Sequence, residues 1–110
     1  MRRARVYIHG IPAGILIEHV KTSHYSFTYL PGYEGEPVSL ALPLQHEPYE
    51  FTSFPPFFEG LLPEGIMLDG LLRTLKIDRT DCFSQLVAVG GDLPGAVTTE
   101  VIDETLPDHL

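Results

Sequence analysis

The segment FPPFFEGLLPEG, Phe54 to Gly65, decides how the rest of the chain is read. Its twelve residues hold three Phe, two Leu, three Pro and two charges, Glu59 and Glu64. So much apolar surface, broken by proline and glycine, is either core or a face made to be covered by something else. Before it the apolar residues recur with a period of two, as in strands. After it the period is helical.

Downstream, Phe54 to Leu62 predicts a short helix ending near Gly60. Pro63 suits the first turn of a second helix, where its missing N–H would have no partner anyway. Glu64 follows at the positive end of that helix dipole. Leu68, Leu71, Leu72 and Leu75 then recur at i, i+3, i+4 and i+7, an amphipathic face. Arg73 and Lys76 fall in the last turn, and Asp69 and Arg73 have the spacing of an i, i+4 ion pair. Asp78 reads as the N-cap of a third helix, with Asp81 as its capping-box partner. Phe83, Leu86 and Val87 form that helix's stripe, and Gly90 reads as a left-handed C-cap. Gly95 to Ile102 reads as a final strand.

Upstream, RVYIH places Val6 and Ile8 on one face and Tyr7 and His9 on the other. Gly10 to Pro12 reads as a turn. In GILIEHV, Ile15 and Ile17 share one face, Leu16 and Glu18 the other. HYSFTY sends Tyr25, Phe27 and Tyr29 inward and His24, Ser26 and Thr28 outward. Pro31–Pro37 is a loop, Val38–Leu42 a short strand stopped by Pro43, and a small strand is expected near Tyr49–Thr52. The order strands, helices, strand predicts a single α+β domain over 1–110: a small antiparallel β-meander with two to three helices. Residues 103–110 are expected to be a flexible tail.

The formal net charge is −8, from 15 acids and 7 bases. Phosphate backbones reward clustered Lys and Arg, so this balance argues against nucleic acid and against an anionic membrane surface. Arg2, Arg3 and Arg5 read as solubilising charge. A single cysteine, Cys82, cannot form an internal disulfide, which fits a reducing cytoplasm. The opening apolar run is cut by His9, Gly10, Pro12 and Glu18, which rejects a signal peptide. No window is long and apolar enough for a bilayer span.

Little in the chain suggests catalysis. His9, His19 and His24 invite a metal or small-ligand reading of the strand region, but they lack helical ligand spacing and an accompanying Cys. Cys82 has no base in evidence. VGGDLPGAV follows a helix and precedes a strand, the reverse of a phosphate loop, and lacks the G-K-[ST] ending. The expectation is a non-enzyme that needs no cofactor and no metal.

Four blocks in order make the chain resemble the N-terminal subdomain of HipA-type serine/threonine kinases. They are VYxxG (Val6, Tyr7, Gly10), SLxLP (Ser39, Leu40, Leu42, Pro43), FFxxLLPEG (Phe57, Phe58, Leu61 to Gly65) and GxDxxGA (Gly90, Asp92, Gly95, Ala96). No glycine-rich ATP loop, strand lysine, H-R-D or D-F-G segment is present, so the kinase's own machinery is missing. The family includes a split arrangement in which the subdomain is a separate small protein, HipS, encoded with a kinase toxin, HipT, and a helix-turn-helix protein, HipB. The resemblance implies a HipS-like antitoxin that inhibits a HipT-like kinase by direct contact, with a HipB-like protein completing a ternary complex. It equally admits a subdomain that completes the kinase fold without inhibiting it. The implied partner-binding residues are Phe57, Leu61, Leu62, Pro63, Glu64, Gly65, Ile66 and Met67. Part of the Phe57–Leu62 set is expected to be core, and the exposed subset to lie at Pro63–Met67.

Overall fold

The computed structural model describes residues 1–93 and 95–102. The expected flexible tail lies outside them. Among the described residues the chain forms β1 (Arg2–Ile8), β2 (Ile11–Val20), β3 (His24–Tyr29), β4 (Tyr49–Phe51), α1 (Pro56–Glu59), α2 (Gly65–Leu75), α3 (Cys82–Ala88), a 3-10 turn (Gly90–Asp92) and β5 (Val97–Ile102). The strands make one antiparallel sheet in the order β4-β3-β2-β1-β5. The α+β architecture is therefore the expected one. The first three strands form a meander, and the last strand returns beside the first.

Period-two alternation sets the two faces of the sheet. Pairing aligns Val6 with Gly14 and Thr99, Ala4 with Leu16, and Leu16 with Phe27. These positions, with Ile8, Tyr25, Tyr29 and Val97, make one continuous buried face. Helices α1 and α3 lie on it through Phe58, Phe83 and Leu86, all essentially inaccessible to solvent. The other face carries Arg3, Arg5, Tyr7, Ile15, Ile17 and Thr28, none of them buried. Ser26, expected outward, does point away from the core but is buried beside His19, whose Nε2 lies 2.7 Å from its hydroxyl.

Several local expectations are corrected. The β1–β2 turn is centred on His9 and Gly10, at φ 51° and 79°, not on Gly10–Pro12. Two positive φ values match the right-handed twist of the hairpin. Val38–Leu42 is not a strand; it contains only an isolated Ser39–Leu42 bridge closing a tight turn. The N-cap of α3 is Asp81, not Asp78, and its carboxylate accepts a hydrogen bond from the Ser84 N–H at 3.2 Å. Gly90 is not a left-handed cap. It begins the 3-10 turn, packed so closely on β5 that a Cβ there would sit 2.2 Å from the Thr99 carbonyl oxygen.

Arg2, rather than lying in solvent, ties the sheet to α3. Its Nε donates to Glu18 at 2.7 Å, one terminal nitrogen donates to the Ser84 hydroxyl at 2.7 Å, and the other donates to Asp81 at 2.9 Å. The guanidinium also lies 4.8 Å from the centre of the Phe83 ring. The Tyr25 hydroxyl donates to the second Glu18 oxygen at 3.0 Å, so this buried carboxylate has partners on both oxygens. Burial, with the bond to Glu18, pushes the Tyr25 phenol up to about 12. Burial works to raise the Asp81 carboxyl, but hydrogen bonds from Arg2 and Ser84 outweigh it and hold the group below its ordinary value of 3.8.

Two outcomes are expected. Gly90→Ala meets a backbone oxygen that cannot swing aside, so urea unfolding should show a loss of about 1–3 kcal/mol. The lowered Asp81 pKa contributes stability that is present above the unfolded-state value and is lost as pH falls through the folded-state value. The urea midpoint should therefore drop below about pH 4, and Asp81→Ala should flatten that part of the pH profile.

Candidate functional site: the α1–α2 surface

The Phe54–Gly65 segment divides between core and surface residue by residue. Phe54, Pro55 and Phe58 are core. Phe58 meets Phe27 with ring centres 5.6 Å apart, and Phe54 meets Tyr25 edge-on at 5.3 Å. Pro55 caps the four-residue helix α1 from outside, and Pro56 fills its first position, where a missing N–H costs nothing. Two further turns, Leu61 N–H to Phe58 O and Leu62 N–H to Glu59 O, both 3.1 Å, continue past Gly60. Phe57, Leu61 and Leu62 end up half-buried at the rim of the core.

Beyond this rim the chain leaves the core. Pro63 is half-buried and Glu64 is exposed and extended, at φ −129°. Gly65 turns at φ 59°, a conformation that a side chain would strain. This starts α2 two residues later than Pro63 suggests. Ile66 and Met67 follow, 89% and 75% exposed. The exposed subset is thus Glu64 to Met67, and Phe57, Leu61, Leu62 and Pro63 border it.

Helix α2 has the apolar stripe its period predicts, but no residue of it is buried. Leu68, Leu71 and Leu72 are half-buried, and Leu75 is 49% exposed. The helix ends on Lys76 in the left-handed region, with the Ile77 N–H returning to Leu72 O at 3.1 Å. Asp69 pairs with Arg79 at 2.5 Å, not with Arg73, and both partners are largely exposed. Such a pair contributes little to stability.

Between the α1–α2 corner and α3 lies an open cleft of about 190 Å³, lined in part by Glu59, Leu62, Leu68 and Cys82. Burial pushes the Cys82 thiol up, and Glu59 and Asp81 push it further. A thiol held protonated in an acidic setting is a poor nucleophile. His19 and His24 stack at 4.4 Å beside the β2–β3 turn, whereas His9 sits in the β1–β2 turn at the other end of β2. The structure thus brings together two of the three histidines, and among the described residues no group of three metal-ligating side chains forms. No helix among those residues is long and apolar enough to cross a membrane. Leu40, 98% exposed, lies outside the site residues the sequence suggests. Its exposure depends on a turn that apolar alternation disguises as a strand.

A chain with this sheet and this helical edge matches known proteins. Residues 4–100 match the family described as HipA N-terminal domain. An uncharacterized protein of Haemophilus influenzae is 33% identical over 97 residues, which cover 88% of this chain and 90% of that protein. A putative kinase, Y4mE of Sinorhizobium fredii, is 34% identical over 73 residues, 66% of this chain but only 17% of the kinase. A solved structure of the N-terminal domain of HipA toxin superposes with a TM-score of 0.73 at 27% identity, covering 94% of this chain and 95% of that one. The likeness is to the N-terminal domain of HipA and not to a kinase catalytic domain, and the chain belongs to the HipA N-terminal domain family.

Proposed function

We propose that this chain is a non-enzymatic antitoxin that binds a HipA-like serine/threonine kinase toxin of the HipT kind and holds it inactive. One observation carries the reading: no residue of α2 is fully buried, its leucine stripe is only half covered, and Ile66 and Met67 at its start are 89% and 75% exposed. A helix with one apolar face normally buries that face. Covering it with a partner stabilises a complex by roughly 1.5–3 kcal/mol per fully buried Leu, Ile or Met side chain, before the costs of association. The rim of Phe57, Leu61, Leu62 and Pro63 borders this patch, and Glu64 and Gly65 set its entry. Few charges and a proline-fixed approach suit an interface core.

The family relatives support the kinase as the partner. In Y4mE the matching segment is part of a much longer putative kinase. In the Haemophilus protein the match covers nearly the whole length, so the domain also occurs as a small protein. On our reading, a surface that packs within one chain when the domain is fused to a kinase docks between chains when it is separate. Inhibition follows from docking at the ATP side of the kinase. Phosphoryl transfer requires the glycine-rich loop and its lysine in register, so a small displacement of that loop stops it. Ile66 is aliphatic, which favours holding the loop out of position over plugging the nucleotide pocket. The complex is cytoplasmic, uses no cofactor, and includes a HipB-like helix-turn-helix protein as its third member. The Y4mE match also favours a second reading, in which the domain completes the kinase fold without silencing it.

The test is the double variant Ile66→Asp, Met67→Asp. Both side chains are exposed, so its stability should stay within about 0.5 kcal/mol of the parent. Binding to a HipA-like kinase that lacks its own copy of this domain should weaken at least tenfold, and kinase activity should return. Unchanged binding and silencing would remove the α2 surface from the contact. Binding of the parent without silencing would select the second reading.

A further inference from the structure

Leu40 is 98% exposed, more than any other large apolar side chain described. A lone exposed leucine on a loose loop needs no explanation. This one sits on a loop that is held from several sides. The Leu42 N–H donates to Ser39 O at 3.0 Å, and the Ala41 N–H donates to the Ser39 hydroxyl at 3.1 Å, closing a tight turn with Leu40 at its tip. Val38 and Leu42, on either side, are buried.

Three tyrosine hydroxyls fasten the same loop. Tyr29 accepts from the Val38 N–H at 3.0 Å and donates to the Leu42 carbonyl. Tyr33 donates to Glu36 O at 2.7 Å, and Tyr49 donates to Pro43 O at 2.6 Å. Pro37 and Pro43 bracket the turn and fix φ at its entrance and exit. The side chain is therefore presented on backbone that is already ordered, so a partner that takes it has little loop entropy left to overcome.

The turn is continuous with the surface described above. The Glu36–Val38 segment shares an open cleft of about 250 Å³ with Phe57 and Leu61. Charge favours one kind of partner over another. From Thr22 to Leu72 the chain has seven acids and no Lys or Arg. That stretch contains both the Leu40 turn and the beginning of α2. Around the Leu40 turn, where Glu34, Glu36 and Glu47 are the charged residues of the sequence, a second copy would bring acid against acid, whereas a partner with a basic rim would be attracted.

We propose that the Ser39–Leu42 turn is a second anchor for the same partner, with Leu40 entering an apolar socket on the kinase rimmed by Lys or Arg. This rests on the kinase-binding reading above. It makes the contact two-pronged, with Leu40 and the Ile66–Met67 end of α2 flanking the Phe57–Leu61 rim.

The experiment measures association and dissociation rates against a purified HipA-like kinase without its own copy of this domain, at low and at higher salt. Leu40→Ala and Leu40→Asp should keep the parent's melting temperature and raise Kd about tenfold or more, mainly through faster dissociation. Glu34→Lys with Glu36→Lys should slow association and reduce its salt dependence. If the Leu40 variants bind as the parent does while Ile66→Asp, Met67→Asp does not, the second anchor is wrong and the kinase reading stands. If the parent itself fails to bind, both fall. A parent dimer that Leu40→Asp dissolves would assign the turn to a second copy and overturn the proposal.

Discussion

The seating of Phe58 against Phe27 is the contact on which the candidate surface depends. Phe58 is wholly buried, although its helix is only four residues long. A helix that short has no stability of its own. It holds its place because one aromatic ring enters the sheet face while Pro55 and Pro56 limit how the backbone can approach. Once Phe58 is fixed, Phe57 turns to the rim, and Leu61 and Leu62 border the core without entering it. Removing a buried Phe generally costs about 3–5 kcal/mol. Here the loss would also free the segment that orients α2.

The other two helices meet opposite fates for reasons visible in their side chains. Helix α3 brings Phe83, Leu86 and Gln85 inward and is clamped at its N-terminus by Asp81, Ser84 and Arg2. That clamp reaches Glu18 on β2 and Tyr25 on β3, so it ties α3 to the sheet by charge as well as by packing. Breaking one member would strand the others, and this makes such networks unforgiving. Helix α2 has no equivalent. Its one described ion pair, Asp69 with Arg79, lies in solvent.

Much of the fold is legible in the sequence, because alternation and helical period report directly on which face meets the core. Val6, Ile8, Tyr25, Phe27 and Tyr29 are inward as their spacing requires. What escapes the sequence depends on distant partners. Asp81 rather than Asp78 caps α3, since Arg2 from the far end of the chain holds Asp81 in place. Gly90 is required by the closeness of Thr99 and not by its own φ. Val38–Leu42 alternates like a strand, yet among the described residues its pairing is limited to its own bridge, and the Tyr29 hydroxyl bonds its backbone at both ends instead. The candidate surface is half legible. The segment from Leu61 to Met67 announces itself by composition, but its division at Pro63 into a rim and an exposed end follows from the depth of Phe58.

An exposed apolar helix is a liability that the rest of the molecule has to offset. A net charge of −8 offsets it in solution, because like molecules repel before their greasy faces meet. The stretch from Thr22 to Leu72, which holds the Leu40 turn, contributes seven of the acids and no Lys or Arg, whereas α2 carries Arg73 in its last turn and ends on Lys76. On the proposed reading, the same charges are attractive toward a basic surface, so protection against self-association would also select a partner. Stability follows the same division. An eleven-residue helix with no fully buried residue draws on its own backbone bonds and on three half-buried leucines, so α2 belongs at the low end of the molecule's range of local stabilities. The sheet and α3, locked by Phe83 and Arg2, belong at the high end. A rigid platform carrying one under-stabilised helix is what a docking element requires, because covering that helix gains more than covering one already satisfied.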